Sequence, residues 1–223
     1  MRRQMIVAVL LSAGMQLAHA DNGFYPDGMT AAIDVGRYHT GFAYPGNVYA
    51  ADIDRYAVVI TQPMAQDVDF GITGAYVLAS VNSPTLAALK QSDGQSLGLS
   101  IGWHPRLGNY FGLELQSGYN WNDVSFSGSS GQPDVTWYES YAAAGPVLYL
   151  FNWRISAGMR WQHYEGHETD PGTVPSSRDF RAARSTSAYL GVTYYLDSTG
   201  SLAFHAFGGG QRGGELVFKR EFQ

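Results

Sequence analysis

The sequence contains no cysteine among its 223 residues. No disulfide can therefore stabilise the fold, and neither a thiolate metal site nor a nucleophilic cysteine is possible. A lipid anchor attached through an N-terminal cysteine is excluded for the same reason.

Charge is also scarce. Asp, Glu, Lys and Arg make up 15% of the residues, whereas a water-soluble domain has roughly a quarter. Beyond the N-terminus the chain has no apolar run of about 18 residues, so no transmembrane helix is predicted. Aromatic residues nevertheless reach 14%, and glycine occurs 27 times. A transmembrane β-barrel reconciles these features, because its lipid-facing surface is spread over alternate residues of many short strands.

The first twenty residues have the features of a secretory signal peptide. Arg2 and Arg3 form a positively charged start, residues 5–15 are apolar, and a small-x-small cleavage site ends at Ala20. Cleavage there leaves residues 21–223 as a single domain. Removing the two arginines from the 14 basic residues leaves 12 against 19 acidic ones, a net charge of about −7. This balance argues against a nucleic-acid partner.

Strand-like alternation is clearest between Phe111 and Trp121. Every odd-numbered residue there except Ser117 is apolar, and every even-numbered residue is glycine or polar. Because strand side chains point alternately to two faces, the pattern predicts a strand with one apolar face. Aromatic residues lie at both ends of that face, as in strands that cross a membrane. The alternation recurs in 96–104, 153–162 and 187–196, and the expected aromatic belts comprise Trp103, Phe111, Tyr119, Trp121, Trp153 and Trp161.

The polar face of these segments is mostly glycine, serine, threonine and glutamine, which suits a narrow barrel interior. Six weaker patterns complete ten predicted strands: 30–42, 55–64, 68–81, 135–150, 202–207 and 215–222. Pro63 and Pro146 fall inside two of them and require a bulge or an early strand end. Short connections alternate with long segments that are expected to be external loops: 43–54, 82–93, 123–134, 163–180 and 208–214. We expect an all-β fold, a transmembrane antiparallel up-and-down β-barrel of ten strands, with eight as the alternative count.

The C-terminal segment resembles the last strand of small outer-membrane β-barrel proteins of Gram-negative bacteria. Those strands end in an aromatic residue that the barrel-assembly machinery reads, and Phe222, with Phe218 on the same face, matches that position. The segment departs from the pattern at Arg220, where an apolar residue is usual, and at Gln223, which follows the aromatic one. The resemblance implies location in the outer membrane, contact with its lipids and lipopolysaccharide, and insertion through the last strand.

Strand polarity places several charged and histidine side chains in the lumen: Glu114, Arg154, Arg160, His104, His205, Lys219 and Glu221. A charge enclosed in a low-dielectric wall is costly unless it is paired. We therefore expect a salt-bridged filling, with Glu114 and Arg160 as the first candidate pair. The alternative is a constricted polar path for a small solute, because eight to ten strands leave a narrow interior.

One segment carries the residue types of a zinc or copper site: His163, Glu165, His167, Glu168 and Asp170. The His-x-x-x-His spacing is a helix arrangement, whereas this segment runs from a strand into a loop. A solvated loop without a metal is the favoured interpretation, and no cofactor is expected.

Two enzyme families were compared with the sequence. Lipid A deacylases of the outer membrane use a His-x-Ser arrangement, but Ala206 and Phe207 follow His205 here. Asp52 and Asp54 resemble the acidic pair of omptin proteases, but no matching Asp-His pair stands out.

The sequence therefore favours a non-enzymatic outer-membrane barrel with a narrow, polar-filled lumen, most simply a monomer, with an envelope-structural or surface-interaction role. A narrow channel or small-ligand-binding barrel is the first alternative, and a lipid A-modifying hydrolase is the second. A soluble periplasmic barrel of lipocalin type is the architectural rival, in which the apolar face would point inward.

Overall fold

The computed structural model describes residues 28–83, 92–126, 133–170 and 176–222, with the side chains of Asp170 and Ser176 excepted. The expected signal peptide, residues 1–20, lies outside these ranges. Within them, no helix is long and apolar enough to cross a membrane.

Eleven antiparallel strands make up nearly all of the described chain. They are β1 (Met29–Tyr44), β2 (Asn47–Ala65), β3 (Val68–Val81), β4 (Ser92–Trp103), β5 (Phe111–Phe126), β6 (Asp134–Leu150), β7 (Trp153–Asp170), β8 (Ser176–Ala182), β9 (Thr186–Tyr195), β10 (Gly200–Gly209) and β11 (Arg212–Phe222).

Ten of these strands form a closed ring. Neighbours in the chain pair in sequence from β1 to β7, β9 follows β7, and β11 pairs with β1 from Met29↔Phe222 to His39↔Arg212. Both ends of the described chain therefore lie at the same end of the barrel. The predicted ten-stranded up-and-down barrel is confirmed.

The eleventh strand, β8, was not predicted. It pairs with the far end of β7 and, through Phe42↔Ala182 and Ala43↔Arg181, with the far end of β1. Strands β9 to β11 end below these pairs, so β1 to β8 close a second ring of eight strands, which we call the neck. Because barrel diameter grows with strand number, the barrel narrows from its ten-stranded body to its neck.

The long strands change the expected connections. Segment 43–54 is a hairpin whose turn is only Pro45 and Gly46, with Gly46 at the positive φ of 84° that a tight turn requires. Most of 163–180 belongs to β7 and β8, and the turn in 208–214 is reduced to two residues. Segments 82–93 and 123–134 are shortened by the strands beside them. The expectation of five long loops was therefore wrong, because strands continue into the neck.

The two prolines are accommodated differently. At Pro63 the register between β2 and β3 shifts before Ala65, which is the expected bulge. Pro146 does not end β6. Its strand continues, and pairing with β7 lapses only between Ala144↔Met159 and Val147↔Ser156.

The apolar face changes sides between body and neck. In the body, the outward-facing residues are exposed and apolar, including Ile33, Val58, Leu97, Ile101, Leu190, Phe204 and Leu216. On β5 this outward series ends at Trp121, and the next apolar residues, Val124 and Phe126, are fully buried inside the neck. The body thus has the surface of a membrane barrel, whereas the neck has an apolar interior and a polar outer surface.

Three inward-facing rings lie over glycines that are their direct cross-strand partners. The pairs are Gly118↔Tyr141, Gly158↔Tyr189 and Gly166↔Phe180. A Cβ added at these glycines would come within 2.2–2.8 Å of the ring opposite. The glycines provide the space that lets large rings fill a narrow lumen.

Candidate functional site

A layer of charged and aromatic residues crosses the lumen below the neck, where Arg160 and Glu139 line one small cavity together with Tyr38 of β1 and Arg55 of β2 on the opposite wall. Arg160 on β7 pairs with Glu139 on β6 at 2.8 Å, and their side chains are 14% and 12% exposed. The Arg160 guanidinium also lies 4.1 Å from the ring centre of Tyr141. Asn120 donates a further hydrogen bond of 3.4 Å to Glu139. The charges of Arg160 and Glu139 thus neutralise each other, and the Tyr141 ring packs against the guanidinium.

Glu215 on β11 is the centre of a second cluster beside this layer. It accepts hydrogen bonds from the Tyr38 hydroxyl and pairs with His205 Nδ1 at 2.7 Å. Asp34 faces the same cluster, and its Oδ1 is buried without a hydrogen-bond partner among the described residues. His205 is therefore a lumen residue held by a carboxylate.

A third layer lies towards the end of the barrel that holds both termini. Arg154 and Glu114 form a direct salt bridge, and both are about 15% exposed. His104 pairs with Asp69 at 3.1 Å, and Lys219, which is half-buried, lies within electrostatic range of Asp69.

Glu221, the last of the predicted lumen residues, accepts a hydrogen bond of 3.0 Å from the backbone N–H of Gly28. It thus joins the start of the described chain to its last strand.

The expected pairing of Glu114 with Arg160 is wrong. Arg154 and Arg160 are six residues apart on β7, which corresponds to about 20 Å along a strand. Only one of them can reach Glu114, and the salt bridge shows that it is Arg154. Six of the seven predicted lumen residues lie in these three groups, and Glu221 lies apart from them, against Gly28 at the start of the described chain.

Between these layers the lumen holds a cavity of about 240 Å³. Both signs of charge line it, through Asp34, Glu114, Arg160, His205 and Lys219. The buried Tyr189 hydroxyl, which also lines it, has no hydrogen-bond partner in the described part of the chain. A polar cavity of this size has room for a cluster of waters that would satisfy such groups.

Aromatic residues fill the neck above the cavity. Phe42 is stacked on Phe180 with ring centres 4.4 Å apart, and it also contacts Trp137 and Tyr164. These four rings belong to an apolar cluster that extends to Val77, Val124 and Phe126. We call this cluster the neck plug.

The neck also contains a buried carboxylate. Glu168 is 1% exposed, pairs with Arg178 at 2.6 Å and accepts a hydrogen bond of 2.7 Å from Tyr44. The neck is therefore closed by apolar packing together with a satisfied polar bridge.

The predicted belt residues all face outward with exposures between 36% and 62%: Trp103, Phe111, Tyr119, Trp121, Trp153 and Trp161. One belt lies near the termini, where Trp153 packs on Tyr194. The other lies near the neck, where Tyr119 stacks on Tyr138. Phe218 and Phe222 of the last strand also face outward, 43% and 53% exposed.

The residues of the proposed metal set do not converge. His163, Glu165 and His167 lie on the outer surface of β7, whereas Glu168 points into the neck. Within the described ranges, no group of three or more His, Asp or Glu side chains could hold a metal ion. The spacing of His163 and His167 would bring their side chains together on a helix, but the segment is a strand, in which residues four apart lie about 13 Å from each other.

The acidic pair compared with omptins also faces outward. Asp52 pairs with His39 at 2.8 Å and Asp54 with Arg37 at 3.2 Å, across β1 and β2. These are exposed cross-strand pairs on the neck side of the barrel.

Sequence reasoning missed five charged residues of the lumen: Asp34, Arg55, Asp69, Glu139 and Glu215. Four of them lie in predicted strands on which no lumen residue was assigned, and Glu215 lies on the same face of the last strand as Lys219 and Glu221. The signal that could have found them is their odd or even position, because each lies on the polar face of its strand.

Neither a protein-family model nor a curated protein matches the chain by sequence. Among solved structures, the chain is similar to the outer-membrane protease OmpT from Escherichia coli, with 11% identity, a TM-score of 0.51 and coverage of 88% of this chain and 97% of that chain. It is also similar to the translocator domain of the autotransporter NalP from Neisseria meningitidis, with 11% identity, a TM-score of 0.50 and coverage of 89% and 90%. It is similar as well to the beta domain of the Bordetella autotransporter BrkA, with 12% identity, a TM-score of 0.50 and coverage of 87% of this chain and 98% of that chain.

At such identities the likeness concerns the fold alone. The chain has the fold of a Gram-negative outer-membrane β-barrel.

Proposed function

We propose that this chain is a closed, non-conducting barrel of a Gram-negative outer membrane, exported by its signal peptide and inserted through its C-terminal strand. In this proposal the lumen is a structural filling with no catalytic task. The protein reinforces the envelope and presents its neck outside the cell. The periplasmic end is then the one that holds both termini.

The observation that carries this proposal is the double closure of the lumen. The neck plug fills the eight-stranded ring with stacked aromatic residues, and the Arg160–Glu139 layer crosses the barrel beneath it. A solute path would have to break both apolar packing and a buried salt bridge. Breaking such a buried pair is strongly unfavourable.

The surface supports membrane insertion of the body. Its outward side chains are apolar between two aromatic belts, and the polar outer surface begins only in the neck. A lipocalin-like soluble barrel would need the opposite arrangement throughout. Membrane fractionation followed by gel electrophoresis of heated and unheated samples tests this. Release with the periplasm, without a heat-dependent shift in mobility, would contradict insertion.

Conductance in planar bilayers tests the closure itself. The wild-type barrel should give no discrete current steps. A variant carrying Phe42→Ala, Phe180→Ala and Arg160→Ala, checked for folding by heat-dependent mobility, should give steps because both obstructions are weakened. Discrete openings of the wild type would overturn the proposal and favour a narrow channel.

A further inference from the structure

Three polar side chains on the outer surface of the neck are linked in a row. Ser177 Oγ lies 2.8 Å from His167 Nε2, and His167 Nδ1 lies 2.7 Å from Asp179 Oδ1. A hydroxyl, an imidazole and a carboxylate in this order are the elements of a serine hydrolase triad, which is recognised by geometry and recurs on unrelated folds.

The pairing of β7 with β8 produces this arrangement. His167 and Asp179 are direct cross-strand partners, and Ser177 is the partner of Thr169, two residues further along β7. Ser177 and Asp179 are separated by one residue, so their side chains share the outward face. His167 is held from both sides of its ring. When Nδ1 carries the proton towards Asp179, Nε2 is free to accept the proton of Ser177.

The position of the triad relative to the membrane suggests its substrate. On β7, His167 lies two residues beyond Glu165, whose partner on β6 is Tyr138 of the neck-side aromatic belt. Two residues correspond to about 7 Å along a strand. The triad is therefore at the level of the polar groups of the outer leaflet, open to lipid and to water.

We propose that Ser177, His167 and Asp179 form a site that hydrolyses carboxylic esters at the outer surface. This inference goes beyond the closed-barrel function but rests on its proposed orientation, with the neck outside the cell. It departs from the non-enzymatic expectation drawn from the sequence. The lumen takes no part in it.

The reaction follows from the three side chains and water. Ser177 Oγ attacks the ester carbonyl carbon while His167 Nε2 takes the hydroxyl proton. The bond from that carbon to the alcohol oxygen breaks, and His167 returns the proton to the departing alcohol. Water then attacks the acyl-serine, gives a proton to His167 and releases the carboxylic acid, after which Ser177 regains its proton.

Asp179 is a positioning residue, since it acts on His167 and not on the ester. Its side chain is 88% exposed and that of His167 is 47% exposed, so the pair is weak in bulk water. Lipid covering this face would lower the local dielectric and strengthen it. We expect higher activity at a lipid or detergent surface than on a dissolved substrate at the same concentration.

The first test uses the mature barrel purified in detergent, with p-nitrophenyl butyrate as substrate and a fluorophosphonate probe for the nucleophile. The probe should label Ser177, as mapped by mass spectrometry. Ser177→Ala and His167→Gln should each reduce ester hydrolysis at least tenfold. Ser125→Ala and His163→Gln, which change exposed residues of the same types in the neck region, should leave it unchanged.

Asp179 has its own readout. Asp179→Asn should lower hydrolysis, and Asp179→Glu should restore part of it, because the carboxylate is retained. All variants are on the surface, and their folding is checked by heat-dependent mobility. No hydrolysis above the detergent blank, or equal hydrolysis by wild type and Ser177→Ala, would overturn the proposal.

The same barrel in vesicles of phosphatidylethanolamine and lipopolysaccharide identifies the source of the ester. Fatty acid released by the wild type and not by Ser177→Ala would assign the site to outer-leaflet lipids. Hydrolysis of the aryl ester without fatty acid release would assign it to soluble esters. Both results support ester hydrolysis, and the absence of both contradicts it.

Discussion

At the scale of single residues, paired charges hold the lumen together. Arg160 and Glu139 are both largely removed from solvent, and the guanidinium is further packed against Tyr141. Such a pair adds little net stability compared with apolar residues of the same size, because both charges are desolvated. Its importance lies in what happens when only one partner is removed.

Arg160→Met should destabilise the barrel by about 3–5 kcal/mol, because Glu139 is left as a buried charge without a partner. Adding Glu139→Gln should recover most of this loss. Urea unfolding in detergent, followed by heat-dependent gel mobility, measures both. The exposed pair of Arg37 and Asp54 provides the control, since Arg37→Met should cost less than about 1 kcal/mol. Equal losses for Arg160→Met and Arg37→Met would contradict the account.

Asp197, in the turn between β9 and β10, makes stability depend on pH. The backbone N–H and hydroxyl of Thr199, together with the Gly200 N–H and Arg220, lower the pKa of this carboxyl to about 2. Because the folded pKa is lowered, the stabilisation is complete above the unfolded pKa of about 4 and is lost as pH falls through 2.

Asp197→Asn keeps the shape of the turn and removes the charge. The wild type should have the higher urea midpoint from pH 8 down to pH 5, and the difference should shrink below pH 4 and approach zero only below pH 2. A difference that persists unchanged at pH 1.5 would show that the charge is not its source.

At the scale of strands, glycine and aromatic residues in register determine how the lumen is filled. Tyr189 lies over Gly158, whose absent side chain also leaves room for the backbone of β6. The many glycines of this sequence are therefore spacers for rings as much as features of turns.

Gly158→Ala should destabilise the barrel by roughly 1–3 kcal/mol, the usual cost of overpacking. The added methyl would lie 2.2 Å from the backbone oxygen of Ala144, which cannot move aside without breaking the strand pair. Gly74→Ala is the matched control, because nothing lies within 4 Å of its new methyl. Similar urea midpoints for the two variants would contradict this explanation.

The sequence predicts the body better than the neck for a physical reason. Inside the membrane, lipid makes the outward face apolar, so strands such as β4 and β9 show clear alternation. Beyond the belts, the outward face meets water and the inward face forms a core, so the apolar series of β5 changes from odd to even positions after Trp121. When the apolar residues change from odd to even positions within one strand, the alternation is interrupted and the sequence of that segment looks like that of a loop.

The short strand β8 and the site on it show the same limit. Within β8, Phe180 is the only large apolar residue, so no alternation marks this segment as a strand. The contact of His167 with Asp179 depends on the pairing of β7 with β8, which the sequence does not reveal. Similarly, the sequence places single charges in the lumen from their position on a strand, but the partner of each charge depends on how the strands pair, which the sequence does not reveal.

At the scale of the whole molecule, the barrel is two coaxial rings with one shared wall. The ten-stranded body matches a membrane, and the eight-stranded neck continues beyond it. Both described termini and the turns after β2, β6 and β9 lie at the end opposite the neck. This asymmetry gives the proposed orientation a direct test.

A single cysteine can report the orientation, since the native chain has none. On intact cells, a membrane-impermeant maleimide should label Pro45→Cys, in the neck-end turn, and not Phe151→Cys, in a turn at the other end. Phe151 is 93% exposed, so its variant should react once the cells are permeabilised. The cysteine-free wild type measures background, and labelling of the two sites in the opposite order would reverse the orientation.

In the neck, the residues that close the lumen are different from those at the exposed end of the barrel. Its barrier is made of strand residues such as Phe42, Trp137 and Phe180, and the described turn at Pro45 and Gly46 lies outside this cluster. Loops that leave a rigid rim can change length and sequence at small cost to the scaffold. In the proposed orientation, changes in this turn would alter the surface that phage and antibodies meet and would leave the packing that closes the lumen untouched.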